Sequence, residues 1–255
     1  MKLIIVKPII IVAIVVVAGL GINQAFSSSG GSSLQDQPTR VQKGIMSAQQ
    51  KEHSKLYGEY STGLKSIPEQ LSGMPGVLIK VGPPWEGSTR NPSPISLASF
   101  LRELACAADA VVIGRVKSSS SQMTESEDFV FTDYEVTVDE VLKDYASDRI
   151  IPRTEIVVTR PGGRIQIEGK VVETVDVSFK PLIEGGRHLL FLHRIPTTRA
   201  YKAVSSLGSF ELGDQRVSKL TEQTLRVDRE IEDVTSFVIQ VRASIAGIAV
   251  RTERF

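Results

Sequence analysis

The chain is 255 residues long and 41% hydrophobic, with 30 Lys and Arg against 29 Asp and Glu and a single cysteine. That length is ample for a hydrophobic core, and near charge balance removes the basic stripe that nucleic-acid binding draws on. One cysteine excludes any disulfide within the chain.

Residues 8–22 are apolar throughout and follow Lys2 and Lys7. Positive charge on that side alone predicts that it stays cytoplasmic while the rest of the chain is exported. A helix over the run rises about 22 Å, short of the roughly 30 Å hydrocarbon layer, and reads as a signal peptide. Counted from Leu3 it reaches about 30 Å, with Lys7 able to snorkel to the interface, and reads as an anchor. Ala25-Phe26-Ser27 offers a passable cleavage site. Residues 1–26 are therefore expected to be a membrane anchor on the cytoplasmic membrane or, alternatively, a signal peptide whose removal frees a secreted protein. Without Lys2 and Lys7, 28 basic residues face 29 acidic ones, so the exported part has no large electrostatic footprint.

Residues 27–41, with SSSGGSS followed by LQDQP, read as a flexible linker. Residues 42–95 form a transition. Its first part predicts a weak helix, because Ile45, Met46, Leu56, Tyr57 and Tyr60 are too unevenly spaced for one apolar face. Six of the twelve prolines then fall within residues 68–94, and no regular element is expected there. Trp85, the only tryptophan, is read as packing against the main domain, with a partner-binding aromatic as the alternative.

Residues 96–227 are expected to form a β-barrel domain led by a short helix. Ser96 suits a helix cap, and Leu97, Phe100, Leu101 and Leu104 share a face. Strands are predicted over 110–117, 129–142, 154–160, 164–178, 187–193, 201–205 and 209–212, with the serines 118–121 as a loop and Pro161-Gly162-Gly163 as a turn. Val130, Thr132, Tyr134, Val136 and Val138 alternate with polar residues, as in a half-buried strand. AVVIG (110–114) and HLLFL (188–192) are apolar at successive positions, as where both faces are covered. A closed or nearly closed antiparallel barrel would leave such strands without open edges. Residues 228–255 predict a terminal amphipathic helix capped by Asp228, with Ile231, Val234, Val238, Val241 and Ile245 as a stripe for the barrel wall or a second copy.

The segments ADAVVIGRV (108–116), YEVTVDEVLK (134–143), RPGGRI (160–165) and EGGRHLLFL (184–192) resemble a pattern in uncharacterised exported bacterial proteins. Over about residues 105–213 they also distantly resemble netrin-like modules, the group that includes tissue inhibitors of metalloproteinases. The resemblance implies an OB-like barrel. In those inhibitors a cysteine at a free mature amino terminus chelates the target's metal, and disulfides hold the barrel; Cys106 fits neither role, so the inhibitory mechanism is not carried over.

Chemical motifs are missing. His188 and His193 sit five apart on one predicted strand, hence on opposite faces, and His53 belongs to the weak helix. There is no HExxH, CxxC, Gly-x-Ser-x-Gly or Ser-x-x-Lys. The stretch from Gly163 to Lys170 has one residue too many for a phosphate loop, and Val171 follows the lysine where a hydroxyl is needed. Cys106 is expected to be a small buried residue, and Asn91 is followed by Pro92, which blocks glycosylation. Glu125, Glu127 and Asp128 read as a solvated loop, since calcium-ligand spacing is lacking. No catalytic, cofactor or metal residue is assigned.

The chain is thus expected to be mainly β, an OB-like barrel flanked by an N-terminal and a C-terminal helix. Its expected role is a membrane-tethered, non-catalytic binding module of the cell envelope, with a protein or envelope component as partner and no nucleic acid. The exposed loop around Arg160 and Arg164 is its candidate contact. The alternative is an exported carboxylate-based hydrolase.

Overall fold

A computed structural model of the chain describes residues 39–40, 46–58, 66–72, 78–81, 96–145, 149–214, 216–220 and 233–252. The expectations for residues 1–26, Trp85, Asn91 and Asp228 lie outside them. No helix among the described residues is long and apolar enough to cross a membrane.

The elements in chain order are β1 (Thr39–Arg40), α1 (Ala48–Leu56), α2 (Ile67–Leu71), β2 (Leu78–Val81), α3 (Leu97–Ala107), β3 (Ala110–Met123), β4 (Val130–Asp144), β5 (Glu155–Pro161), β6 (Gly163–Ile167), β7 (Lys170–Val175), β8 (Arg187–Arg194), β9 (Tyr201–Ala203), β10 (Ser209–Leu212), β11 (Val217–Lys219) and α4 (Val234–Thr252). The protein is mainly β. Its large sheet runs β11-β10-β8-β3-β4-β5-β9, antiparallel except where β5 meets β9. Because β9 also pairs with β8, the hydrogen bonds partly ring the strands β3, β4, β5, β9 and β8.

Alternation along the ring strands separates two cores. Val111 and Ile113 of β3 and Leu189 and Phe191 of β8 join Phe100, Leu101 and Leu104 of α3 and Phe237 and Val241 of α4. The intervening Val112, Leu190 and Leu192 face the other way, with Val136, Val138, Ile156, Val158 and Tyr201. This double cover explains the unbroken apolar runs in both strands. α4 thus packs beside α3 on the outer face of the sheet, with Phe237 against Phe210 of β10, and it starts at Val234. The described cap is Asp233, whose carboxylate accepts the Ser236 N–H at 2.6 Å. α3 begins at the expected Ser96, which accepts from the Ser99 N–H at 3.2 Å. Its far end is held by the buried Lys143, whose Nζ donates to the carbonyls of Ala105 and Ala108, a cation at the negative end of a helix.

Several expectations are corrected. The Pro-rich segment does hold regular structure: Ser66 caps α2, where Pro68 sits in the first turn and breaks no hydrogen bond, and the proline-free Leu78–Val81 pairs in parallel with β7. Thr39 and Arg40, expected in the linker, pair with β6. The single strand over 164–178 is the hairpin β6–β7, reversed at Glu168 (φ 49°) and Gly169 (φ 79°); positive φ at both positions suits a two-residue hairpin turn. Ser118–Ser121 are not a loop but part of β3, opposite Glu135, Tyr134, Asp133 and Thr132 of β4.

Candidate functional site

The register of three strands stacks side chains in rows on the inner face of the ring. Val116, Val136 and Ile156 form one row; Ser119, Tyr134 and Val158 the next; Ser121, Thr132 and Arg160 the last. Polarity therefore rises along one direction, from an apolar core to a mouth that ends in a guanidinium. A cleft of about 230 Å³ opens there. The β5–β6 turn, strand β7 and the segment after it complete its walls, with Gly163, Arg164, Glu173, Asp176, Phe179 and Lys180 among the contributors.

Arg160 is 2% exposed. The exposed loop expected around it is therefore corrected: Arg160 follows Ile156 and Val158 inward at the strand's period of two, while Arg164 on β6 is exposed. Its Nε and Nη1 have no hydrogen-bond partner, and Nη2 reaches only the Leu220 carbonyl, at 3.5 Å. The guanidinium lies over the Phe179 ring, 5.0 Å from its centre, a cation–π contact that satisfies none of its donors. Burial pulls its pKa down to about 10, which leaves it charged at neutral pH.

The neighbouring hydroxyls are engaged with one another. Thr132 Oγ1 donates to the Gly162 carbonyl at 2.7 Å and stands 2.8 Å from Ser121 Oγ, while Ser119 Oγ donates to Glu184 at 2.7 Å. Gly163 closes this wall: a Cβ there would lie 2.3 Å from Thr132 Oγ1 and 2.7 Å from Ser121 Oγ. Asp176, 1% exposed, accepts from the Ser178 N–H at 2.7 Å.

His188 projects to the same inner face. It is fully buried, its Nδ1 has no partner, and its Nε2 is 3.3 Å from the Ile183 carbonyl. Burial first, and the charge of Arg160 in addition, lower its pKa to about 4 despite that carbonyl. His193 instead pairs with Asp109 at 3.2 Å near the surface, so the two histidines diverge as expected.

His53, on α1, shows a geometry that local motifs could not reveal. Its Nδ1 is 2.9 and 3.0 Å from the two carboxylate oxygens of Asp133, and its Nε2 is 3.5 Å from Thr198 Oγ1. The order of contacts is that of a nucleophile, base and orienting acid. The imidazole is wholly buried, however, and packed edge-on against Phe131, so it serves as a clip holding α1 to the sheet. Tyr57 acts likewise, stacked on Phe131 and donating to Thr159 Oγ1 at 3.2 Å; burial pushes its phenol well above the ordinary range.

Cys106 is exposed, not buried, because the buried stripe of α3 passes through Leu101, Leu104, Ala105 and Ala108 and leaves position 106 on the outer face. The acidic loop is more ordered than a solvated one. Asp128 is 3% exposed and accepts from Thr124 and Ser126, and the Glu127 carbonyl accepts from the Ile67 N–H at 2.7 Å, which docks α2. Among the described residues no group of three His, Cys, Asp or Glu side chains is placed to hold a metal ion.

In comparison with known proteins, the chain matches no family model and no curated sequence. The functional reading therefore rests on the cleft.

Proposed function

We propose that the protein is an exported binding module, tethered to the cytoplasmic membrane through residues 1–26, whose ring of strands receives its ligand at the polar mouth. The observation that carries this reading is Arg160, a fully buried guanidinium with unpartnered nitrogens lining an open cleft. A folded chain keeps such a group at a cost of several kcal/mol, a cost that a ligand supplying acceptors would offset. The strand order β3-β4-β5-β9-β8, with β5 and β9 parallel, fits an OB-like barrel. The apolar run and its lysines support tethering.

The rival reading, a carboxylate-based hydrolase, draws on Glu173 and Asp176, which line the same cleft. Asp176 is held by its own turn, which favours binding over hydrolysis.

The test is a thermal-shift screen of envelope components against the full chain in detergent, alongside Ser119→Trp, which fills the mouth. A component that raises the melting temperature of the wild type and not of the variant supports the reading, and equal shifts in both refute it. Recovery of the intact chain in the inner-membrane fraction, with its original amino terminus, supports the tether; a mature form starting near residue 27 refutes it.

A further inference from the structure

Resting on the reading of the mouth as a ligand site, we infer that its ligand presents an oxyanion, a carboxylate or a phosphate, to Arg160. The chemistry of the wall narrows the choice. The free nitrogens of Arg160 are donors only, and a guanidinium offers a planar fork that matches two oxygens of one group. A carboxylate or phosphate brings two acceptor oxygens to the unpartnered Nε and Nη1, where a neutral carbonyl brings one and adds no charge to that of Asp176, which already acts on the guanidinium. Ser119, Ser121 and Thr132 already use their hydroxyl hydrogens on Glu184, on each other and on the Gly162 carbonyl, whereas Nε and Nη1 of Arg160 are donors without a partner.

The ring of Phe179 covers one face of the guanidinium, which holds the fork in a fixed plane and directs approach to its edge. Of the other charged groups, Arg164 lies directly across the hairpin from Glu173, a neighbour of opposite sign. Lys180 adds a second positive charge to the wall. Asp176 faces the same space, but its Oδ1 is turned to the Ser178 N–H. A cleft of about 230 Å³ admits a small anionic group or the charged end of a larger envelope molecule, not a polymer chain along its length.

The experiment is thermal denaturation of the full chain in detergent with inorganic phosphate or succinate, at ionic strength held constant with sodium chloride. A saturable rise in melting temperature with one or both anions is expected, and the responding anion identifies phosphate or carboxylate as the class. Arg160→Met should abolish the rise, and Arg160→Lys, which keeps the charge without the fork, should weaken apparent affinity about tenfold. Should Arg160→Met not fold, the lysine variant carries the comparison. A wild-type rise that both variants retain in full overturns the inference, as does the lack of any response to either anion. A neutral disaccharide or peptide amide that stabilises the wild type and not Ser119→Trp, with both anions inert, overturns the oxyanion and leaves the binding module standing. Inert anions together with equal shifts in wild type and Ser119→Trp for every component overturn both.

Discussion

The guanidinium of Arg160 lies 5.0 Å from the centre of the Phe179 ring, so a buried charge is covered by an aromatic face while two of its nitrogens lack hydrogen-bond partners. The two residues should respond oppositely to truncation in the absence of ligand. Arg160→Met removes a desolvated charge and keeps most of the volume, so stability should stay level or rise by up to about 3 kcal/mol. Phe179→Ala removes a ring that is 8% exposed and should cost about 3 kcal/mol or more. Urea denaturation of the two variants checks both signs. A loss above about 2 kcal/mol for Arg160→Met would assign the guanidinium a structural role.

The buried imidazole of His188 makes stability fall with acid. Its pKa is lowered from 6.5 to about 4 in the folded chain, so the unfolded chain binds the extra proton first. The stabilising contribution is complete above pH 6.5 and is lost as pH falls to about 4, amounting to about 3 kcal/mol across that window. Asp109, whose carboxyl is held below its ordinary 3.8, titrates beneath it. Denaturation midpoints taken from pH 7 to pH 4 should therefore decline in the wild type and decline much less in His188→Gln. Parallel declines would place the titration elsewhere.

What the sequence made legible followed from side-chain period. The successive apolar positions of Val111, Val112 and Ile113, and of Leu189 to Leu192, marked strands covered on both sides, and the two cores divide them residue by residue. The same period holds the signal for the site: Arg160 shares the parity of Ile156 and Val158 and points inward with them. The Glu168-Gly169 reversal was hidden because apolar residues continue on both sides of it. The serines of β3 were obscured by low strand propensity, which their cross-strand partners override. The His53–Asp133–Thr198 cluster joins residues 80 and 145 positions apart, so no local pattern could show it.

The clip between α1 and the sheet is testable through Asp133. Replacing it with Ala leaves the fully buried His53 without its carboxylate partner, at a cost of about 1–3 kcal/mol. Because the contact joins one helix to a sheet with its own core, the loss should be local. Hydrogen exchange should quicken at the amides of α1 while those of β3 and β8 keep their protection. Uniform loss of protection across both strands would show that α1 unfolds only with the sheet.

The docking of α4 turns on one ring. Phe237 is 1% exposed and its centre is 4.9 Å from that of Phe210 on β10, within the core that also takes in Phe100, Leu101 and Leu104 of α3. Phe237→Ala removes that contact and leaves a cavity between helix and sheet, which should cost about 3–5 kcal/mol. Ile239, two positions along the helix and 59% exposed, is the matched control, and Ile239→Ala should change stability by no more than about 0.5 kcal/mol. Chemical denaturation distinguishes the two. Near-equal losses would mean that the helix buries its opposite face as well, against a surface other than the sheet.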